Sequence, residues 1–269
     1  MIDYSENTKL WVNWLSEYWE SFIDFLESAH LENIKDVTRI IKACKRLEEK
    51  FQGKKRKTWE DYHSHPYEVA RIFIDIHRNR VSENWLIACI LHDNIEDIES
   101  ENFSEIEKDF WTEVAILVEL LSKPDLELFM NDKEQRNKYY FCNFESLASL
   151  RKYIKKSCED RWIIHQEKNK WPKRTNFNTW VISKSTVRRY AFLIWVIKIC
   201  DRVHNLCTMP WNAYDIHKIE KKMHETENYF TDLAHELHGS HPLLIDKLRK
   251  SLINAKQNIN RLKVLGTIQ

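Results

Sequence analysis

Glycine is scarce in this chain of 269 residues: Gly53, Gly239 and Gly266 are the only three, and all lie in polar stretches that read as connections. Tight sheet turns and phosphate-cradling loops rely on glycine, so its scarcity argues for helices joined by simple links. Neither GxxxxGKS/T nor GxGxxG occurs, which removes the mechanical parts of P-loop and dinucleotide-binding folds. No uninterrupted apolar stretch reaches membrane length. The opening Met1-Ile2-Asp3-Tyr4-Ser5-Glu6 is acidic and polar, unlike a secretory leader. A cytoplasmic protein with no membrane partner is therefore the simplest expectation. None of the six cysteines forms CxxC, and several sit among apolar residues, so buried reduced thiols are expected. An excess of one charge is also missing: 42 Lys and Arg face 41 Asp and Glu, for a net +1. That balance neither supports nor excludes a nucleic-acid partner, since a local patch could still exist.

What is present is a core-forming composition. Hydrophobic residues make up 43% and charged residues 31%, which is globular rather than disordered. The length suits one large helical domain, or one with a helical arm, without staples. Trp11, Trp14, Leu15, Tyr18, Trp19, Phe22, Phe25 and Leu26 recur at helical spacing, as do Ile34, Val37, Ile40, Ile41, Cys44, Leu47 and Phe51. A third helix is expected to start near His65-Pro66, because proline suits a first turn. A fourth is expected from about Glu83 through Asp97. Ser104 and Glu107 read as a capping box for a fifth. Phe141 to Ile154 reads as helix, and Ser157 to Ser183 as a polar, tryptophan-rich insertion or lid. An apolar helix is expected from Thr186 through Asp201 to about Leu206, followed by helices over 213–238 and 242–263.

The chemistry concentrates in four places: Arg56-Lys57, His65-Pro66, Leu91-His92-Asp93-Asn94-Ile95-Glu96-Asp97, and Lys198 to Asn205. An imidazole nitrogen from His92 and a hard oxygen from Asp93 suit a borderline divalent metal such as manganese, iron or zinc. On a helix, Glu96 and Asp97 stand four residues beyond His92 and Asp93, one turn or about 5.4 Å along. Two acids would then lie beside the metal, where a general base or a water-positioning group is wanted. The bland alternative is a solvated charged face. Against it, the apolar run Leu86 to Leu91 leads straight into this acidic stretch, a switch that is costly unless a metal or partners satisfy it. Asp201 ends another apolar run, with Asn205 and Thr208 on the same face. That stripe could ligate metal, ribose and phosphate, or could simply be a helix end.

Taken in order, these segments resemble the HD superfamily, with His65, His92-Asp93 and Asp201 as the H…HD…D pattern. More narrowly they resemble the hydrolase domain of the RelA/SpoT alarmone enzymes. The resemblance rests on Tyr62 to Ala70, Ala88 to Asp97, Phe110 to Val118, Ile197 to Asn205, and Glu225-Thr226 with Tyr229 and Leu233-Ala234. It implies an all-α helical bundle in which His65, His92, Asp93 and Asp201 hold one Mn²⁺. Glu96 and Asp97 would activate and orient the attacking water. Arg56 and Lys57 would contact base and phosphate, and Asn205 and Thr208 would lie near the ribose and the 3′ substituent. The implied reaction is hydrolysis of (p)ppGpp to GDP or GTP plus pyrophosphate. The chain departs from the family pattern at Ile98, where threonine is usual, and at Lys57-Thr58-Trp59-Glu60-Asp61. It also has a longer stretch between Asp93 and Asp201. No segment after Asn205 resembles the family's synthetase domain, so a hydrolase-only member is expected, similar to the small alarmone hydrolases. The expected organisation is a helical extension over 1–50, a hydrolase domain over 51–240 with an insertion over 124–184, and a C-terminal helix over 241–269.

Other features point elsewhere only weakly. His235, His238 and His241 recur every three residues, but Gly239 and Pro242 break any helix there and the spacing fits no common ligand set. Lys168, Lys170, Lys173 and Arg174 alternate with Trp171 and Phe177, as in some single-strand binders. A solvated lid with docked tryptophans is the preferred reading, and a nucleic-acid partner is not expected. The N-terminal aromatic helix reads as core or as a subunit interface, which leaves a homo-oligomer open. The rival functions are an HD phosphohydrolase acting on another nucleotide (ppApp, a dNTP or a second messenger) and a catalytically silent nucleotide sensor.

Overall fold

The computed structural model describes residue 22 and residues 24–26, 34, 37–56, 60–77, 80–167, 183–208 and 216–266. Among them every regular element is helical, apart from one isolated bridge between Lys55 and Asp61. The helices are α1 (Thr38–Lys50), α2 (Ser64–His77), α3 (Glu83–Ile90), α4 (Asn94–Asp97) and α5 (Phe103–Leu121). A 3₁₀ turn (Leu126–Phe129) leads to α6 (Lys133–Cys142) and α7 (Leu147–Glu167). Then follow α8 (Lys184–Thr208), α9 (Ile216–Leu237) and α10 (Pro242–Gly266). The all-α bundle expected from the sequence is thus the observed fold class.

Helix α8 is the axis of the bundle, packing against α2, α5, α7, α9 and α10. Its run from Leu193 to His204 is buried on every side, as expected for a helix with apolar residues all round. Helix α2 lies on one flank and packs in turn on α3, which packs on α1 and α5. One contiguous core results, from Phe22 and Leu26 to Ile259. Phe22 stacks on Tyr67 of α2 with ring centroids 5.0 Å apart, so this part of the expected first helix is core. Its other aromatic residues, Trp11 to Trp19, lie outside the described residues.

Several expected boundaries are corrected. The fourth helix is two: α3 stops at Ile90, Leu91-His92-Asp93 form a turn, and α4 resumes at Asn94. Asn94 N–H donates to Leu91 O at 3.0 Å across that turn. The cap of α5 is Asn102, whose side chain accepts from Glu105 N–H at 3.2 Å, so the Ser104/Glu107 box is not used. Helix α5 is also kinked at Trp111, which has φ 71°. Arg39 stacks on its ring at 3.7 Å and donates to Phe110 O at 2.9 Å, satisfying a carbonyl that the kink frees. The helix expected over Phe141 to Ile154 is broken after Cys142, and Ser146 caps the next one by accepting from Ser149 N–H. Helix α7 then runs on to Glu167, so the start of the expected lid is helix. Its Lys168–Ile182 portion, with Trp171, Phe177 and Trp180, lies outside the described residues.

Candidate active site

Three helical segments bring the expected ligands together. His65 comes from the first turn of α2, His92 and Asp93 from the turn between α3 and α4, and Asp201 from α8. His65, His92 and Asp93 each offer a ligand atom within 4.8 Å of the others. His92 Nε2 lies 3.2 Å from Asp93 Oδ1, and His65 Nε2 lies 3.7 Å from Asp93 Oδ2. Asp201 reaches the group through His65, with Oδ1 3.1 Å from His65 Nε2.

The donor chemistry fits a metal ion. His92 is fully buried, and its Nδ1 lies 2.8 Å from Cys89 O, a contact that calls for a proton on Nδ1. That leaves Nε2 a bare lone pair, and this buried atom has no hydrogen-bond partner. A buried acceptor without a partner is costly unless a cation completes it. On the other imidazole, His65 Nδ1 lies 2.6 Å from His204 Nδ1, which fixes the ring and turns Nε2 towards the two carboxylates. Burial holds His65 below its ordinary pKa despite Asp201 beside it, and pushes His204 down to about 3. Both rings are therefore neutral near pH 7, as ligation requires. Burial would raise both Asp93 and Asp201, but the polar and cationic groups around them, Lys198 included, outweigh it and hold the two carboxylates below their usual range.

Glu96 and Asp97 face the same space in different states. Glu96 is ion-paired with Lys123 at the end of α5, which overcomes burial and keeps it ionised. Asp97 accepts from the Tyr62 hydroxyl at 2.5 Å, and the same hydroxyl lies 2.9 Å from Asp93 Oδ2. Burial and the Asp93 charge nevertheless raise the Asp97 pKa. Two neighbouring carboxyls with opposite shifts are what paired proton-handling roles need.

On the opposite wall the expected stripe on α8 is present. Asn205 donates to Asp201, and Arg56 Nη2 donates to Asn205 Oδ1 at 3.3 Å and Thr208 Oγ1 at 3.2 Å. Lys57 lies outside the described residues. All these groups except His92 and His204 line one open cavity of about 610 Å³. Eight lysines and arginines line it against five carboxylates, a balance suited to a polyanion. Sequence reading gave no role to several of them. Tyr62 stood inside a quoted motif but had no task. Lys198 and Arg202 likewise stood inside a motif without a task, whereas Lys123 and the lysines of α9 carried no local signal. Tyr140 and Phe141 of α6 border the cavity, and the Tyr140 hydroxyl is anchored on Leu121 O at 2.7 Å. Part of the expected 124–184 insertion is thus a cavity wall.

Comparison with known proteins agrees with this architecture. Residues 43–160 match the HD-domain family model. A Streptomyces coelicolor "GTP pyrophosphokinase" is 26% identical over 199 residues, spanning 74% of this chain and 18% of that protein. The Aquifex aeolicus "guanosine-3′,5′-bis(diphosphate) 3′-pyrophosphohydrolase" is 27% identical over 190 residues, 66% of this chain and 25% of that protein. The chain thus spans a quarter or less of these relatives. A solved structure described as "a metazoan ortholog of SpoT hydrolyzes ppGpp and plays a role in starvation responses" superposes with a TM-score of 0.53 at 16% identity, covering 81% of this chain and 95% of that one. The resemblance to RelA/SpoT-type HD proteins read from the sequence is borne out. Among the described residues no helix is long and apolar enough to cross a membrane.

Proposed function

We propose that this HD-domain protein of the RelA/SpoT type hydrolyses the 3′-pyrophosphate of (p)ppGpp-like nucleotides, giving GDP or GTP and pyrophosphate. The observation that carries the reading is the meeting of His65, His92, Asp93 and Asp201 at the edge of a cation-rich cavity large enough for a nucleotide. In this reading those four side chains hold one divalent ion. The donor set suits manganese, iron or zinc, and the family resemblance selects Mn²⁺. When bound, the ion would supply charge neutralisation at the phosphoryl group and a lowered pKa for the attacking water.

The chain's own residues do the rest. Glu96, kept ionised by Lys123, orients the water, and Asp97 takes its proton. As the new P–O bond forms, the bond between phosphorus and the 3′ oxygen breaks, and that oxygen leaves as a hydroxyl, taking a proton from solvent, to which Asp97 returns the one it removed. Arg56 and Lys57 contact base and phosphate, while Asn205 and Thr208 face the ribose and the 3′ substituent. The remaining lysines and arginines neutralise the other phosphates.

The test is metal-dependent turnover of ppGpp, ppApp and dGTP with the products identified. Release of pyrophosphate from ppGpp is expected, and Glu96→Gln or Asp97→Asn should abolish it while Mn²⁺ binding persists. Turnover of dGTP alone would reassign the substrate. Binding of all three nucleotides without turnover would make the protein a sensor.

A further inference from the structure

A second ionic cluster lies just outside the cavity, on the far side of the α3–α4 turn. Its centre is Glu101, in the short loop that joins α4 to α5, and the Glu101 side chain has no solvent exposure. Arg46 of α1 grips it with two hydrogen bonds, Nε to Oε2 at 2.8 Å and Nη2 to Oε1 at 2.9 Å. Lys50, one turn further along α1, adds Nζ to Oε1 at 2.9 Å. Burial would raise the Glu101 pKa, but these cations outweigh it and keep the group a carboxylate. Arg46 is held in turn by Asp109 of α5, and Lys50 also donates to Ser100 Oγ at 3.1 Å.

The cluster reaches towards the chemistry by a side-chain link and a backbone link. The buried Asn94 donates its Nδ2 to Glu101 Oε2 at 3.4 Å. Asn94 directly follows Asp93 and opens α4, the one-turn helix that carries Glu96 and Asp97. That helix has two backbone bonds of its own, Asp97 N to Asp93 O at 2.9 Å and Ile98 N to Asn94 O at 3.0 Å, and on its cavity side Tyr62, Lys123 and Lys54, which donates to Asp97 O at 2.9 Å, also hold it. A single helical turn is marginal unless held from outside. Glu101 N–H also donates to Ile98 O at 3.0 Å, so the same residue closes the loop by its backbone and its side chain.

We infer that Glu101, clamped by Arg46 and Lys50, is a positioning residue that fixes α4 and thereby sets Asp93, Glu96 and Asp97 against the other ligands. A buried ion pair contributes little net stability relative to apolar packing, but it tolerates only one geometry, which makes it a register device. The clamp joins α1, the α4–α5 loop and α5. Glu101 and Arg46 do not line the cavity, so they touch neither substrate nor metal. The catalytic consequence rests on the hydrolase reading above, whereas the structural consequence does not.

The test is hydrogen exchange of the amides of residues 93–98, measured without added metal or nucleotide, with Mn²⁺ affinity and turnover measured separately. Glu101→Gln should lower protection of these amides at least tenfold, and Lys50→Ala should lower it by less. Lys42→Ala, which removes the exposed pair with Asp109 and a contact with the Phe110 ring but touches neither Glu101 nor Asn94, should leave it unchanged. Mn²⁺ affinity should weaken roughly 10- to 100-fold in Glu101→Gln, in the range seen when a metal ligand's supporting partner is lost, with KM less affected than kcat. Protection within twofold of wild type in both Glu101→Gln and Lys50→Ala would overturn the inference. If Glu101→Gln fails to fold, Lys50→Ala decides alone. A wild-type protein that does not hydrolyse ppGpp would instead end the proposed function, and the exchange result would still stand for or against the clamp.

Discussion

Tyr62→Phe isolates one oxygen atom at the centre of the site. The Tyr62 ring stacks on Phe51 with centroids 4.4 Å apart and planes within 4°, so phenylalanine keeps the packing and removes only the hydroxyl. That hydroxyl has one proton and two carboxylate acceptors, Asp97 at 2.5 Å and Asp93 at 2.9 Å. A hydrogen bond to a charged group contributes about 1.5–3 kcal/mol, which is roughly ten- to hundredfold in an equilibrium constant. Two effects should follow. Asp93 loses a partner that orients it, so Mn²⁺ affinity should fall by roughly that factor. Asp97 is already raised by burial and by the Asp93 charge, and the Tyr62 bond is what pulls it down. Without that bond its pKa rises further, because a donor to a carboxylate favours the ionised form. If Asp97 acts as a base, the acid limb of the kcat profile should move to higher pH. Mn²⁺ binding followed by electron paramagnetic resonance and a pH–rate profile at saturating metal read both effects. A well-folded Tyr62→Phe protein with an unchanged metal affinity and an unmoved acid limb would refute the reasoning.

Two further outcomes are expected. Mn²⁺ at a hundred times its dissociation constant should stabilise the fold by about 2.7 kcal/mol, which is about 5–10 °C in Tm for a chain of this size; scanning calorimetry should show the rise in wild type and none in His92→Ala. Burial, with the Arg202 guanidinium close by, pulls the cavity lysine Lys222 down to about 8, so it is charged below that pH and neutral above it. The kcat/KM for a polyphosphorylated nucleotide, which reports the free enzyme, should therefore drop as pH rises through about 8, and Lys222→Met should be lower than wild type below that pH and lack that drop.

The bundle was legible because its helices bury long periodic faces. The apolar run ending at Asp201 predicts a buried helix, and α8 is one. Asn205 and Thr208 were placed on one stripe by helical spacing alone, and both meet Arg56 there. Local competition between turns was not legible. Leu86 to Asp97 has no glycine or proline to mark a break, yet the chain turns at Leu91–Asp93, where His92 is directed inward and Asp93 towards the cavity. The helix expected from Phe141 onward ends at Cys142 because Ser146 captures the next N-terminus. At α5, Asn102 outcompetes Ser104 as cap by lying two residues earlier. Partners supplied from far along the chain were the hardest to foresee. Nothing near Lys123 signals that it will pair with Glu96, and nothing near Glu101 signals Arg46. Tyr62 carries two carboxylate contacts that its own neighbours in sequence do not suggest.

The site is stitched from distant chain segments. Arg56 meets Asn205 across 149 positions, and His65 meets His204 across 139. Closing such long loops costs entropy that grows only slowly with length, but it delays folding because the cost comes before the contacts reward it. The HD match stops at residue 160, before α8 has been made. A nascent chain that has exposed only those residues holds His65, His92 and Asp93 without Asp201, Asn205 or Thr208, and without the axis on which α2 packs. The proposed ligand set should therefore be complete only late in synthesis, when α8 leaves the ribosome and slots in beside α2. The last helix to complete the centre is also the one that most of the bundle needs in order to close.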